Sequence, residues 1–343
     1  MKNIGLILLL SLISLRADAY PDSLKGLEYR NLAGEFLIED CLDSVAHYKT
    51  LSLEIFKQNQ DLGNWINVFQ YLGRFYRDQT NNPEFAINEF QNATEENLWR
   101  SPNDDEEWKV LGWLYVNIAY THWRFLGDYK KARTYYEKAK SILSEKLAIE
   151  DLLVGQYLFR ELGNIYTRLG DYSAAQVLHK KFIDISINEK QYGKAAEAYS
   201  DLGLCYFATQ QFDQAIEMYK TGLLLPDLGK RPKALLYFNL TKAYKKIEDY
   251  DLALEYALKA KREFEALENN NSQSKGKIWL GGILVEISSI YSEKGQYEKA
   301  ELHLMQAYDL FKQTYINPQR REFANLFASF GDLYLDWQKF DLA

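Results

Sequence analysis

The sequence predicts an all-α protein built as a solenoid of stacked antiparallel helix pairs. The same spacing of large apolar, small and aromatic residues returns along the chain, most clearly in residues 157–183 and 197–223. The chain holds 6 Pro and 26 Tyr among 343 residues, and no long stretch alternates apolar and polar residues as a half-buried strand would. One alanine position recurs in register, at Ala86, Ala132, Ala175, Ala215, Ala253, Ala300 and Ala343.

Each repeated segment is predicted to form two helices. In the first half, Phe159, Leu162, Gly163 and Tyr166 stand at i, i+3, i+4 and i+7, which places them on one face of a helix. In the second half, the recurring alanine begins a series at i, i+4 and i+7. We expect the small residue at the position of Gly163 to let two helices approach closely, with Tyr166 beside that contact.

One position between the two predicted helices of each unit is expected to form the turn. Glycine occupies this position at Gly127, Gly170 and Gly295, and other units carry Gln210, Glu248 or Gln338. Glycine adopts a left-handed backbone at little cost. Because a solenoid grows by adding units, the length is interpreted as one elongated repeat domain rather than two globular domains.

These residues resemble the tetratricopeptide repeat, whose pattern of Trp, Leu, Gly, Tyr, Ala, Phe, Ala and Pro runs over a helix pair of about 34 residues. The resemblance covers about residues 66–343 and implies a right-handed α-solenoid. The predicted domains are a signal peptide at 1–19, an N-terminal helical cap with a degenerate repeat at 20–60, and a solenoid of about seven units at 61–343. The last unit is expected to be truncated at the start of its second helix.

Residues 1–20 have the pattern of a secretory signal peptide. Lys2 precedes an apolar run from Ile4 to Leu15, and Ala17 and Ala19 form a small-x-small cleavage site. A membrane anchor is the alternative, but the run is shorter than the roughly 20 residues that span a bilayer. The sequence therefore predicts an exported protein, periplasmic or extracellular in a bacterium, with no membrane span after signal cleavage.

A second resemblance concerns the repeat subtype. Residues 222–226 with 233–236, and residues 318–324, are similar to the repeat region of large bacterial CHAT proteins, in which tetratricopeptide units precede a caspase-like peptidase domain. The resemblance implies that the catalytic His and Cys would lie beyond Ala343. The alternative to a free-standing protein is thus the partner-sensing module of a longer CHAT-type peptidase, or of a sensor kinase.

No catalytic constellation is apparent, so we predict that these residues are not an enzyme and bind no cofactor or metal. The histidines His47, His122, His179 and His303 fall in different repeat units, which disfavours a Cys-His pair or a metal cluster. The sequence contains no Gly-rich phosphate loop, zinc-ligand spacing or serine nucleophile motif.

The first helices of the units are predicted to line a concave surface that binds a protein or peptide. Positions facing this surface in tetratricopeptide relatives correspond to Arg74, Arg77, Asn117, Arg124, Arg160, Asn164, Arg168, Lys242, Lys245 and Lys246. Most are basic although the net charge is −7, so an acidic or carboxylate-bearing partner is expected. An ordinary solvated helix face is the alternative. Nucleic acid is not expected, because the chain is acidic overall and has no dense basic run.

Overall fold

The structure is a computed structural model that describes residues 22–268, 275–314 and 321–339. Within these ranges the regular elements are helices, and no strand occurs. The predicted all-α fold class is therefore confirmed. The predicted signal peptide, the last alanine of the repeated series at Ala343, and the start of a second helix in the last unit lie outside the described residues.

The chain divides into two compact units, Met1–Leu169 and Gly170–Ala343. In the described part of the first unit, three helix pairs pack face to face: α1 with α2, α3 with α4, and α5 with α6. Their bounds are Asp22–Ile38, Leu42–Gln58, Leu62–Asp78, Pro83–Gln91, Asp105–Arg124 and Tyr129–Lys140. A π-helical turn, Ser141–Lys146, extends α6. Helix α7 is the last helix of the unit and has three consecutive parts. These are an α-helical turn Leu152–Val154, a π-helical turn Gly155–Arg160 and an α-helical segment Glu161–Leu169.

The second unit contains α8 to α15 in its described part. Helix α8 packs on α9, and the pairs α9–α10, α11–α12 and α13–α14 follow, with α15 against α14. Their bounds are Tyr172–Asn188, Tyr192–Ala208, Phe212–Leu223, Lys230–Lys246, Tyr250–Glu268, Lys275–Glu293, Tyr297–Thr314 and Arg321–Asp336. The predicted N-terminal cap forms a complete helix pair, α1–α2, while the domain boundaries at 19/20 and 60/61 stay predictions.

Several second helices begin after a residue with a left-handed backbone conformation. The residue that follows it caps the helix with its side chain. Gly127 has a φ of +67°, and the carboxylate of Asp128 accepts a hydrogen bond from the Lys131 amide at 3.0 Å. Glu248 adopts a φ of +61° without being glycine, and Asp249 caps α12 in the same way. The capping carboxylate satisfies an amide that the first helical turn leaves unpaired, so the pair of residues both reverses the chain and begins the next helix.

The paired helices approach closely where a first-helix glycine faces an aromatic ring. A Cβ added at Gly203 on α9 would overlap the ring of Tyr219 on α10, and one at Gly73 on α3 would overlap the ring of Phe90 on α4. Both rings are fully buried. The ring over Gly203 thus comes from the partner helix, whereas Tyr206, three residues further along α9, is only half-buried. The described alanines of the repeated series are completely buried: Ala86, Ala132, Ala175, Ala215, Ala253 and Ala300.

Replacing Gly203 with Ala tests this contact. The added methyl group would force Tyr219 from its buried position, so we expect the free energy of unfolding to fall by about 1–3 kcal/mol. Gly193 on the same helix is the matched control, because a Cβ there meets no atom within 4 Å. Gly193→Ala should leave stability unchanged or raise it by up to about 1 kcal/mol. Chemical denaturation of both variants measures the difference, and equal effects would contradict the packing assignment.

Candidate partner-binding surface

The first helices of neighbouring pairs contact one another within each unit. In the first unit α1 contacts α3 and α3 contacts α5, and in the second α9, α11, α13 and α15 form a similar series. Seven of the ten predicted site residues lie on these helices, and the other three, Arg160, Asn164 and Arg168, lie on α7. Their side chains therefore have two possible roles, to bridge neighbouring repeats or to face a partner.

Arg77 lies within a polar network between α3 and α5. Its guanidinium donates to both carboxylate oxygens of Asp78, at 2.7 and 2.9 Å, and to Asn117 and Thr121, each at 3.4 Å. Asn117 in turn donates to the side chain of Gln70 at 2.9 Å. Arg77 is only 7% exposed. The geometry makes Arg77 and Asn117 bridging residues between repeats.

Two further predicted cations also bridge neighbouring first helices. Arg124 on α5 donates to both carboxylate oxygens of Glu161 on α7, at 3.1 and 3.2 Å. Lys245 on α11 pairs with Glu286 on α13. In both cases the carboxylate comes from the first helix of the following repeat, so these charges are neutralised within the chain. Their partner-binding role stays a prediction.

Arg74 differs from Arg77 because it faces solvent. It lines a cavity of about 260 Å³ together with Tyr71, Phe75 and Asp78 on α3 and with Gln79. The guanidinium of Arg30 on α1 lies 4.8 Å from the centre of the Tyr71 ring. Partial burial lowers the pKa of both arginines. A neighbouring guanidinium lowers each pKa further, that of Arg77 for Arg74 and that of Arg74 for Arg30, while the carboxylate of Asp78 raises the pKa of Arg74. An anion bound here would reduce this repulsion.

The remaining predicted residues of α7 are not gathered around one cavity. Arg160 and Asn164 are half-buried. Arg168 is exposed, and its guanidinium carbon lies 5.7 Å from the ring centre of Tyr129, the first residue of α6. It therefore lies toward the second helix of the preceding pair.

A larger cavity, of about 420 Å³, lies in the second unit between α11, α13, α14 and α15. Its lining includes Phe238, Lys242, Trp279, Gly282, Val285, Glu286, Phe311 and Glu322. Only Lys242 of this set was predicted from the sequence. Lys246, one turn further along α11, is exposed and does not line the cavity.

Two adjacent glycines on α13 have different surroundings. A Cβ at Gly281 would overlap the ring of Phe311 on α14, so packing requires glycine there. A Cβ at Gly282 would meet no atom within 4 Å. Glycine inside a helix costs about 1 kcal/mol relative to alanine. Packing does not account for this cost at Gly282, which forms part of the cavity wall.

The described residues contain no group of three or more His, Cys, Asp or Glu side chains placed to hold a metal ion. His122 is 4% exposed and stacks on the ring of Tyr135. Burial lowers its pKa, which favours the neutral imidazole.

Among the helices in the described ranges, none is long and apolar enough to cross a membrane.

Solved structures similar to this chain are also helical. The apo form of RapI matches with a TM-score of 0.61 at 13% identity, over 93% of this chain and 83% of RapI. The apo form of the quorum sensor NprR from B. thuringiensis matches with a TM-score of 0.61 at 14% identity, over 87% and 80%. A Rap protein complexed with Competence and Sporulation Factor matches with a TM-score of 0.52 at 14% identity, over 94% of each chain. At these identities the likeness shows the fold alone.

Two curated relatives are both described as outer dynein arm-docking complex subunit 4. The Xenopus laevis protein is 26% identical over 173 residues, which is 50% of this chain and 32% of the relative. The Mus musculus protein is 22% identical over 240 residues, 68% of this chain and 38% of the relative. The alignments thus span about a third of the length of these relatives.

Family models of the tetratricopeptide repeat match residues 110–185, 153–223 and 282–314. The first two segments overlap and extend from α5 to α10, and the third lies in α13 and α14. The sequence prediction of this repeat is confirmed in these segments. The chain therefore contains tetratricopeptide repeats within a helical repeat scaffold.

Proposed function

We propose that the chain is a non-catalytic scaffold that binds an acidic segment of a peptide or protein on the first helices of its repeats. The observation that carries the proposal is the exposed Arg74, which lines a cavity of about 260 Å³ with Tyr71, Phe75 and Asp78. A second guanidinium, that of Arg30, lies 4.8 Å from the centre of the Tyr71 ring. Aromatic rings supply contact area, and the arginines supply donors for a carboxylate.

The comparisons support a binding role of this kind. A structurally similar Rap protein is complexed with Competence and Sporulation Factor, and NprR is a quorum sensor. In this chain Arg124 and Lys245 are paired with carboxylates of the next first helix. Arg77 is paired with Asp78 on its own helix and reaches Asn117 and Thr121 on α5. All three cations are therefore engaged within the chain. Arg74 is then the predicted first-helix cation of the first unit that is best placed to meet an external anion.

Peptide selection tests the proposal on the full chain. Random peptides displayed on phage would be selected for binding to the immobilised protein. The selected peptides would then be synthesised, and their affinity would be measured by fluorescence anisotropy. We expect the selected peptides to be enriched in Asp and Glu. Arg74→Glu should weaken their binding by about fivefold, because the lost charge pair is worth up to about 1 kcal/mol at an exposed site and the new carboxylate repels the peptide.

Arg133→Glu is the matched control for that experiment. Arg133 lies on the second helix α6, and its side chain is 46% exposed, with Glu137 at 3.7 Å. The same reversal of charge there should leave the affinity unchanged. Selections without acidic enrichment, or equal loss in both variants, would count against an acidic partner on the first helices.

We also propose that the protein is exported, on the strength of the charged, apolar and small-residue pattern in residues 1–20. An alternative role is the sensing module of a longer CHAT-type peptidase, which is supported only by the sequence similarity at 222–226, 233–236 and 318–324, or of a sensor kinase. Both predictions concern the covalent structure of the native protein, so one measurement addresses them.

The intact mass of the protein isolated from its own cells is that measurement. Signal cleavage predicts a chain that begins at Tyr20. A mass equal to Tyr20–Ala343 supports an exported, free-standing scaffold. A chain that retains Met1–Ala19 would contradict export, and a much larger mass would favour the module of a longer protein.

A further inference from the structure

We propose that the cavity of about 420 Å³ in the second unit binds a large apolar side chain of a partner peptide, with an adjacent carboxylate of that peptide paired to Lys242. The inference rests on the proposed peptide-binding function and names a subsite and its chemistry. It does not depend on the group around Arg74, which lies in the other compact unit.

The size and walls of the cavity suit an apolar side chain. Its volume falls within the range of roughly 300–1,000 Å³ that is typical of ligand pockets. Phe238, Trp279, Val285 and the ring of Phe311 form much of the wall. Gly282 adds no side chain to the wall, and a Cβ there would meet only open space. Glycine at this position therefore leaves room for a ligand to approach the backbone of α13 closely.

Trp279 is exposed but held in a fixed orientation. It is 41% exposed, and its ring stacks on Phe264 with centroids 6.1 Å apart and planes at 8°. Its other neighbour is Phe238, which meets it edge to face at 6.2 Å and 80°. A rigid aromatic ring loses little conformational entropy when a ligand packs on it. This arrangement is typical of residues that contribute strongly to binding.

Lys242 is the lining cation that can pair with an acidic group next to the apolar side chain. The ammonium of Lys242 lies 5.7 Å from the ring centre of Phe207 and 5.8 Å from that of Phe238, and in the described part of the chain it has no carboxylate partner. Lys245, on the same helix, is already paired with Glu286. Glu286 on α13 and Glu322 on α15 also line the cavity, so a carboxylate of the ligand is directed toward Lys242 on α11 and away from both.

Fluorine NMR of the full chain tests the subsite with small probes. The protein would be labelled with 5-fluorotryptophan, and the Trp279 resonance assigned with Trp279→Phe. N-acetyl-phenylalanine carries both the ring and the carboxylate, N-acetyl-phenylalaninamide lacks the carboxylate, and N-acetyl-glycine lacks the ring. We expect saturable shifts of the Trp279 resonance with the first probe, about threefold weaker binding of the amide, and no saturable shift with N-acetyl-glycine.

Variants test the apolar cavity and the charge of Lys242 separately. Gly282→Ala should retain binding of N-acetyl-phenylalanine, whereas Gly282→Leu should fill the cavity and abolish the shift, with circular dichroism confirming a folded chain. Lys242→Met keeps the length of the side chain and should make the acid and the amide bind equally. Lys246→Met is its matched control, because this exposed lysine on the same helix does not line the cavity. Its acid-to-amide ratio should match that of the unaltered protein.

The possible results distinguish this subsite from the broader proposal. The subsite is wrong if N-acetyl-phenylalanine produces no saturable shift of Trp279, or if Gly282→Leu binds it as well as the unaltered chain does. If phage-selected peptides still bind and depend on Arg74, the scaffold proposal stands while the subsite fails. If the probe binds at Trp279 but no peptide is selected, the subsite stands and the broader proposal fails.

Discussion

The close approach of the two helices within a pair is the constraint on which the remaining features depend. At Gly203 and Gly73 the absence of a side chain lets a fully buried ring of the second helix lie directly on the first. The contact fixes which face of each first helix points toward its partner. The opposite face is then directed away from the pair, and its side chains meet the next repeat or the solvent.

That division explains why equally charged residues on first helices have different roles. Arg77, Arg124 and Lys245 reach polar or acidic groups on the next first helix, and these contacts link successive repeats. Arg74 and Lys242 do not bridge in this way and line cavities instead. Two cations a few residues apart on the same first helix thus have different roles. One links successive repeats, and the other can be reached by an acidic ligand.

The repeat architecture could be predicted from the sequence because its signals are local. The spacing of Leu, Gly and Tyr and the register of the alanines give the helix faces, and Gly127 and Gly295 adopt the left-handed turns that were expected of them. The bridging of Arg124 and Lys245 was missed because their partners, Glu161 and Glu286, lie one repeat further along the chain. A search for opposite charges at the repeat interval would have found them. The cavity beside Trp279 depends on four helices, although the Gly281–Gly282 pair is a local signal that could have indicated it.

The central claim is that a partner peptide contacts first helices rather than second helices. Photo-crosslinking tests it most directly, with a phage-selected peptide that carries a diazirine and with the crosslinked residues located by mass spectrometry. The account predicts crosslinks to the solvent-facing sides of first helices, around Arg74 on α3 in the first unit or around Lys242 on α11 and Trp279 on α13 in the second. Crosslinks confined to second helices such as α6 and α10, which line neither cavity, would contradict it.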